Sequence, residues 1–414
     1  MNNGMLYHVI GSLNRRGYAA IPFGFAMVFL LSGVYEIPFL LVDATWITNA
    51  KKILFVCLMV LMGYYIRWRD AIREPFSLFC VVWALLHIGH WLYRAEYDAV
   101  YLQRLIQIVF IWILVNLVMQ QKKDSERFLG LRSFFSPLFF PVACLSLALF
   151  AFHPEIAKAL SNGMGNGRVS FSIWLSQLVF LTLLWSPVKS QQTMLKAFAL
   201  ATPILVLQTF TGGRTGLLAS LAIWFYFSFR EGGIRLSILS GAYLAVLLPL
   251  SAAIAPLPDI YPGTSIFRAI DLPHGISQGG GGTFAWLDRL SSYRLGITTT
   301  ALSTLDADTL LLGKGVMNFK GCAIGYLWEV HNIYIRALGE AGVIGLTALV
   351  AILFLPFRTE ARQADIVAAK VYCGIFLMVG MVHPDLLTTA ISTCMIFWLS
   401  YAEVLRYQKN GADT

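Results

Sequence analysis

The stretch HNIYIRALGEAGVIGLTALVAILFLPF, residues 331–357, decides the fold. From Asn332 onward it is apolar for long enough to cross a bilayer, which takes about 20 residues of helix. It follows a polar tract, Pro256 to Val330, in a chain that is otherwise almost continuously apolar. A bilayer protein has few reasons to hold a long polar segment in water. The re-entry at His331-Asn332 therefore marks both a membrane boundary and the edge of a loop where chemistry is expected.

Composition agrees with that reading. Of 414 residues, 57% are hydrophobic and 13% charged, against about 25% charged in soluble domains. Mean hydropathy is +0.68. Twelve apolar segments are read near 18–41, 52–68, 76–93, 101–119, 132–152, 169–188, 192–210, 215–229, 234–255, 332–357, 367–386 and 387–405. The expected fold is all-α, a polytopic transmembrane bundle with one large loop carrying amphipathic helices. Its parts are spans 1–9 in residues 1–255, the loop 256–330, and spans 10–12 with the C-terminus in 331–414.

Lys and Arg in short loops set the orientation. Arg15, Arg16, Arg67, Arg69, Arg73, Lys122, Lys123, Arg127, Arg132, Lys189, Arg230, Arg235, Arg358, Arg362, Arg406 and Lys409 fall on one side, which is read as cytoplasmic. The other side has Lys51, Lys52, Arg94, Lys158, Arg168 and Arg214 in its short loops, and it also holds the loop 256–330. Part of the +9 formal charge is this bias, so it carries no implication of nucleic acid. Arg15-Arg16 precede a segment long enough to span and no Ala-x-Ala site follows, so a retained first helix is expected. The six cysteines show no paired spacing, so neither a disulfide framework nor a thiolate metal site is indicated.

Within the loop, Gly279 to Gly282 form a flexible run. Trp286, Leu290, Tyr293 and Ile297 then recur at helical spacing, with Arg289 and Arg294 flanking the stripe. Such a helix is expected along the membrane surface, its arginines at headgroup depth.

Arg214 lies in Thr211-Gly212-Gly213-Arg214-Thr215-Gly216, the turn between the seventh and eighth segments. Its fork suits phosphate oxygens, but it could equally snorkel to lipid headgroups. His331 could accept a proton from a sugar hydroxyl or simply sit at the start of a helix. His87 and His90, at i, i+3, could hold a metal. Lacking an accompanying carboxylate motif, they fit interhelical hydrogen bonding better. Glu36, Arg104, Arg336 and Lys370 fall in or near apolar segments and need partners or water. Glu340 sits among glycines whose first explanation is close helix packing. Walker, Gly-x-Ser-x-Gly and His-Glu-x-x-His motifs are all missing from the sequence.

Three pieces together resemble the O-antigen ligase and polymerase superfamily. They are Thr211 to Leu217, Arg289-Leu290-Ser291-Ser292-Tyr293, and His331-Asn332 running to Gly339-Glu340-Ala341-Gly342-Val343-Ile344-Gly345. Gly313-Lys314-Gly315-Val316-Met317-Asn318-Phe319 also looks like that family's Gly-x-Gly-x-x-x-Phe stretch. The chain departs just before Gly313, where Asp308-Thr309 stand in place of a frequent His-Pro pair.

The resemblance implies a ligase of the bacterial inner membrane with its active site facing the periplasm. Such an enzyme moves a polysaccharide from undecaprenyl diphosphate to a sugar of lipid A–core, without metal or cofactor and with inversion. Arg214 and Arg289 match the family's functional arginines and His331 its histidine. Arg294, Arg168, Tyr293 and Asn332 are further candidates for substrate contact. An O-antigen polymerase is the nearest alternative. A lipid-linked oligosaccharide flippase is a more distant one.

Overall fold

A computed structural model of the chain describes residues 45–94, 98–121, 167–185, 191–211, 213–254, 294–316, 318–323, 326–358, 363–381 and 391–412, with single positions at 21, 24, 27, 28, 144 and 360. The described chain is mostly helical. Its helices are α1 (Thr45–Tyr65), α2 (Trp68–Ile72), α3 (Pro75–Arg94), α4 (Asp98–Met119), α5 (Gly167–Trp185), α6 (Gln191–Thr211) and α7 (Arg214–Ile254). After them come α8 (Arg294–Leu302), α9 (Ala307–Leu312), strands β1 (Lys320–Ala323) and β2 (Tyr326–Glu329), then α10 (Ile333–Phe354), α11 (Ala364–Gly380) and α12 (Ile391–Ala412).

Among the described residues, four helical stretches are long and apolar enough to cross a membrane: Pro75–Tyr93, Tyr101–Met119, Thr215–Ser251 and Ile333–Phe357. Large apolar side chains such as Ile53, Val60, Leu85, Leu92, Leu218 and Val246 face outward, fully at odds with an aqueous surface but suited to lipid. The segments read at 18–41 and 132–152 lie outside the described residues, apart from the isolated positions above.

Helix α5 is the axis of the bundle, with every side chain from Phe171 to Leu183 buried. It packs against α6 and α7. Buried polar side chains tie it to its neighbours where apolar surfaces alone would leave helix register loose. Gln208 Nε2 donates to the Ser172 carbonyl at 2.8 Å, and the Ile396 N–H donates to Gln177 Oε1 at 3.2 Å. Helix α12 covers α4 and α11. Lys370 is served by the Phe357 ring, 5.9 Å from its ammonium.

The segments at 215–229 and 234–255 form one hydrogen-bonded run, α7, broken at Gly233 (φ 60, ψ −152). Ser228 and Ser240 hydroxyls lie 2.8 Å apart, and the Trp224 and Tyr243 rings stack at 6.2 Å. In a straight helix, residues 12 apart are separated by about 18 Å. The chain therefore reverses at Gly233, and α7 is a helical hairpin.

Two features of the loop differ from expectation. First, β1 and β2 pair antiparallel, Lys320 opposite Glu329 and Ala323 opposite Tyr326, so the architecture is not purely helical. Strands of four residues are too short for a period of two to show in sequence. Second, the described part of the amphipathic helix, α8, turns its apolar face to protein. Ile297 and Ala301 form a small core with Phe319 and Val330, and Gly321 lies directly on the Ile297 carbonyl. Trp286, Arg289, Leu290 and Tyr293 lie outside the described residues.

Candidate functional site

The segment expected as one span at 332–357 is broken at Gly342, where φ is 67 and ψ −170. A Cβ built at Gly345 would lie 3.7 Å from the Ala337 carbonyl oxygen. Eight residues of straight helix would separate the two by about 12 Å, so α10 bends sharply. Left-handed φ is costly for any residue with a Cβ. At Gly342 a Cβ would also overlap the Leu311 carbonyl. The glycine is required on both counts.

A break in a helix frees the carbonyls that would have accepted from residues four further on. Here the loop supplies the missing donors. The Lys314 N–H donates to the Gly339 carbonyl at 2.7 Å and the Gly315 N–H to the Glu340 carbonyl at 3.0 Å. Gly313 leaves no room for a side chain against Glu340 and Ala341, and Gly339 likewise against the Phe319 ring. His90 Nε2 lies 2.8 Å from the Leu312 carbonyl, fastening the same loop to α3. A Cβ at Gly315 would come within 2.6 Å of the Tyr101 hydroxyl on α4. Two glycine-rich stretches far apart in sequence thus form one joint.

His331 stands at the other end of the helical segment that leads into that joint. Asn332 caps α10, its Oδ1 accepting from the N–H groups of Tyr334 (3.0 Å) and Ile335 (3.1 Å). This cap occupies the oxygen of Asn332, so contact with a substrate would fall to its amide nitrogen. His331 itself is half-buried.

Beneath the joint lies a buried cluster of charge. Arg336 Nε donates to Glu340 Oε1 at 2.8 Å. Arg104 from α4 and His87 from α3 also act on this carboxylate electrostatically. Relative exposures are 3% for Arg104, Arg336 and Glu340, and 2% for His87. This answers the need of Arg104 and Arg336 for partners. It also sharpens the reading of the histidine pair: His87 Nδ1 lies 2.9 Å from the Trp83 carbonyl of its own helix, while His90 reaches the loop. Three or more His, Cys, Asp or Glu residues in metal-binding range do not occur among the described residues.

The second group of candidates sits on other elements. Arg214 is the first residue of α7 and Arg168 lies in the first turn of α5. Ser172 Oγ donates to the Gly213 carbonyl at 2.7 Å, and Gly216 leaves no space for a side chain against Ser172. The turn carrying Arg214 is therefore pinned to the end of α5 that carries Arg168. Its position at a helix start adds the partial positive charge of the helix N-terminus. Arg294 opens α8 and is half-buried. Arg289 and Tyr293 lie outside the described residues.

The cluster around Glu340 was only partly visible in the sequence. Charges inside apolar segments gave its members singly. Their convergence depends on how α3, α4 and α10 pack. No family model matches the chain, and no curated protein matches it in sequence.

Proposed function

We propose that the chain is a glycosyltransferase of the bacterial inner membrane, an O-antigen ligase of about twelve spans with the loop 256–330 on the periplasmic side. The observation that carries this reading is the joint at Gly342. Two stretches that resemble the same superfamily, Gly313 to Phe319 and Gly339 to Gly345, dock on one another at the far end of the helical segment that follows His331. A chance likeness of separate short motifs gives no reason for them to interlock.

The chemistry follows from where charge develops. An acceptor sugar hydroxyl attacks the anomeric carbon as the bond to the undecaprenyl diphosphate oxygen breaks. The bonding pair leaves with the diphosphate. Attack from the opposite face inverts the centre. His331 takes the hydroxyl proton, which raises the nucleophilicity of the oxygen in the transition state. Arg214 and Arg289 stabilise the departing diphosphate, more strongly as its charge grows. Arg214 has the added field of the α7 N-terminus. Arg168, Arg294, Tyr293 and Asn332 are assigned to substrate contact.

The buried charges favour transfer over transport. A flippase should line a wet path with its charges, whereas Arg104, Arg336 and Glu340 are paired and dry.

Reconstitution with purified undecaprenyl diphosphate-linked donor and lipid A–core acceptor tests the reading. Transfer should persist with EDTA present and fall by roughly 100-fold or more in His331→Ala. Unchanged transfer by His331→Ala would remove the base assignment. In a deletion strain, a ligase loss leaves bare core, whereas core bearing a single repeat would indicate the polymerase.

A further inference from the structure

We infer that Glu340 is a positioning residue for His331, an assignment that rests on His331 acting as the proposed base. The helical segment between Asn332 and the break at Gly342 is short, and His331 precedes it directly. Any rotation or tilt of that segment therefore displaces the imidazole. Its first turn is closed by the Asn332 cap, and its end is held to the loop by the Lys314 and Gly315 N–H groups. The Tyr334 hydroxyl donates to the Leu377 carbonyl at 3.1 Å and holds one side of the segment to α11, which leaves the side toward α3 and α4 to be held.

Glu340 supplies that constraint. Its carboxylate bonds Arg336 on the same segment and faces Arg104 on α4 and His87 on α3. Its backbone carbonyl receives the Gly315 N–H, which joins the segment to the loop, while its carboxylate attracts buried groups of two other helices.

Buried ion pairs are poor stabilisers, because desolvation offsets most of their attraction. Their best attested use is to fix one packing register among several. Here one carboxylate stands among two guanidinium groups and a histidine. Neutralising it leaves buried cations facing one another, which drives the His331 segment away from α4. With 3% exposure and a committed oxygen, Glu340 acts through this geometry and does not itself touch substrate.

The test uses the full chain in lipid nanodiscs, comparing Glu340→Gln, Glu340→Asp and the double variant Arg336→Met with Glu340→Met. Three quantities are read: kcat and KM for the lipid-linked donor, the unfolding midpoint, and the rate at which diethyl pyrocarbonate modifies His331, located by peptide mass spectrometry.

A misplacement near 1 Å should lower kcat of Glu340→Gln by roughly 10- to 100-fold. KM should hold, and the labelling rate of His331 should change several-fold. Glu340→Asp should recover part of kcat. The apolar double variant should recover the unfolding midpoint but not kcat. Wild-type kcat and labelling in Glu340→Gln would overturn the assignment. So would a double variant that recovers kcat together with its midpoint, as a purely structural role requires. If the wild type itself shows no transfer, the ligase reading fails. The labelling rates then still decide whether Glu340 positions His331.

Discussion

Among the described residues, two helices are broken by a glycine with positive φ, and the surroundings of the two breaks differ. At Gly233 the arms of α7 fold back on one another and pack through Ser228, Ser240, Trp224 and Tyr243. A Cβ at Gly233 would meet nothing within 4 Å. At Gly342 the break is filled by other parts of the chain. The Leu311 carbonyl occupies the space of a side chain, Lys314 and Gly315 cap the freed carbonyls, and a buried ion cluster lies alongside. The first break needs only a glycine and a turn, which is enough to reverse direction between two apolar segments. The second assembles residues from α3, α4, the loop and α10. Such over-determination is what a site needs when a side chain must be held within a fraction of an ångström.

The comparison can be broken most directly at the glycines themselves. Gly342→Val adds both a left-handed strain and an overlap with Leu311, for a loss of about 3 kcal/mol or more. Gly233→Ala adds only the strain, about 1–2 kcal/mol, and should retain transfer. Denaturant unfolding in detergent measures both. Equal losses would abolish the distinction between the two breaks.

Gly313→Ala approaches the joint from the loop side, where φ is 83 and a Cβ overlaps the Glu340 carbonyl. A loss of about 2–3 kcal/mol is expected, with faster amide exchange at Lys314 and Gly315. Slow exchange at those two amides would show that the joint survives without its glycine. Within the α7 hairpin, Ser228→Ala removes a buried hydroxyl contact and should cost about 0.5–1 kcal/mol. A loss as large as that of Gly342→Val would make the hairpin the more tightly specified region.

The smallest effect is expected at α9, on the loop side of the joint. Asp306 Oδ1 accepts from the Thr309 N–H at 2.8 Å, while the Asp306 N–H donates to Thr309 Oγ1 at 2.9 Å. The side-chain and backbone hydrogen bonds from Thr309 hold the Asp306 carboxyl below its ordinary range. A depressed folded-state value contributes stability above the usual aspartate range of about 4. That contribution is lost as pH falls through the lower folded value. Amide exchange over 307–312, corrected for intrinsic rates, should therefore quicken with acid. Asp306→Asn should retain a cap and lose the pH dependence. If the variant titrates like the wild type, another group is responsible.

The four long apolar helices were legible because a bilayer-length helix needs a long run of one residue character, which is a local property. So was a change of direction between the segments read at 215–229 and 234–255, because two such segments need a turn between them; the structure places it at Gly233, where φ is 60. The sequence also singled out Arg104, Arg336, His87 and His90 as polar groups that needed partners. Which partners they take was decided by packing. Glu340 read as one acidic residue in a glycine-rich segment. Only the approach of α3 and α4 makes it the counter-charge of a cluster. The break at Gly342 was hidden for the same reason. By itself its segment reads as one span with Arg336 and Glu340 as its charges, and the left-handed turn becomes favourable only when loop N–H groups arrive to satisfy the carbonyls it frees.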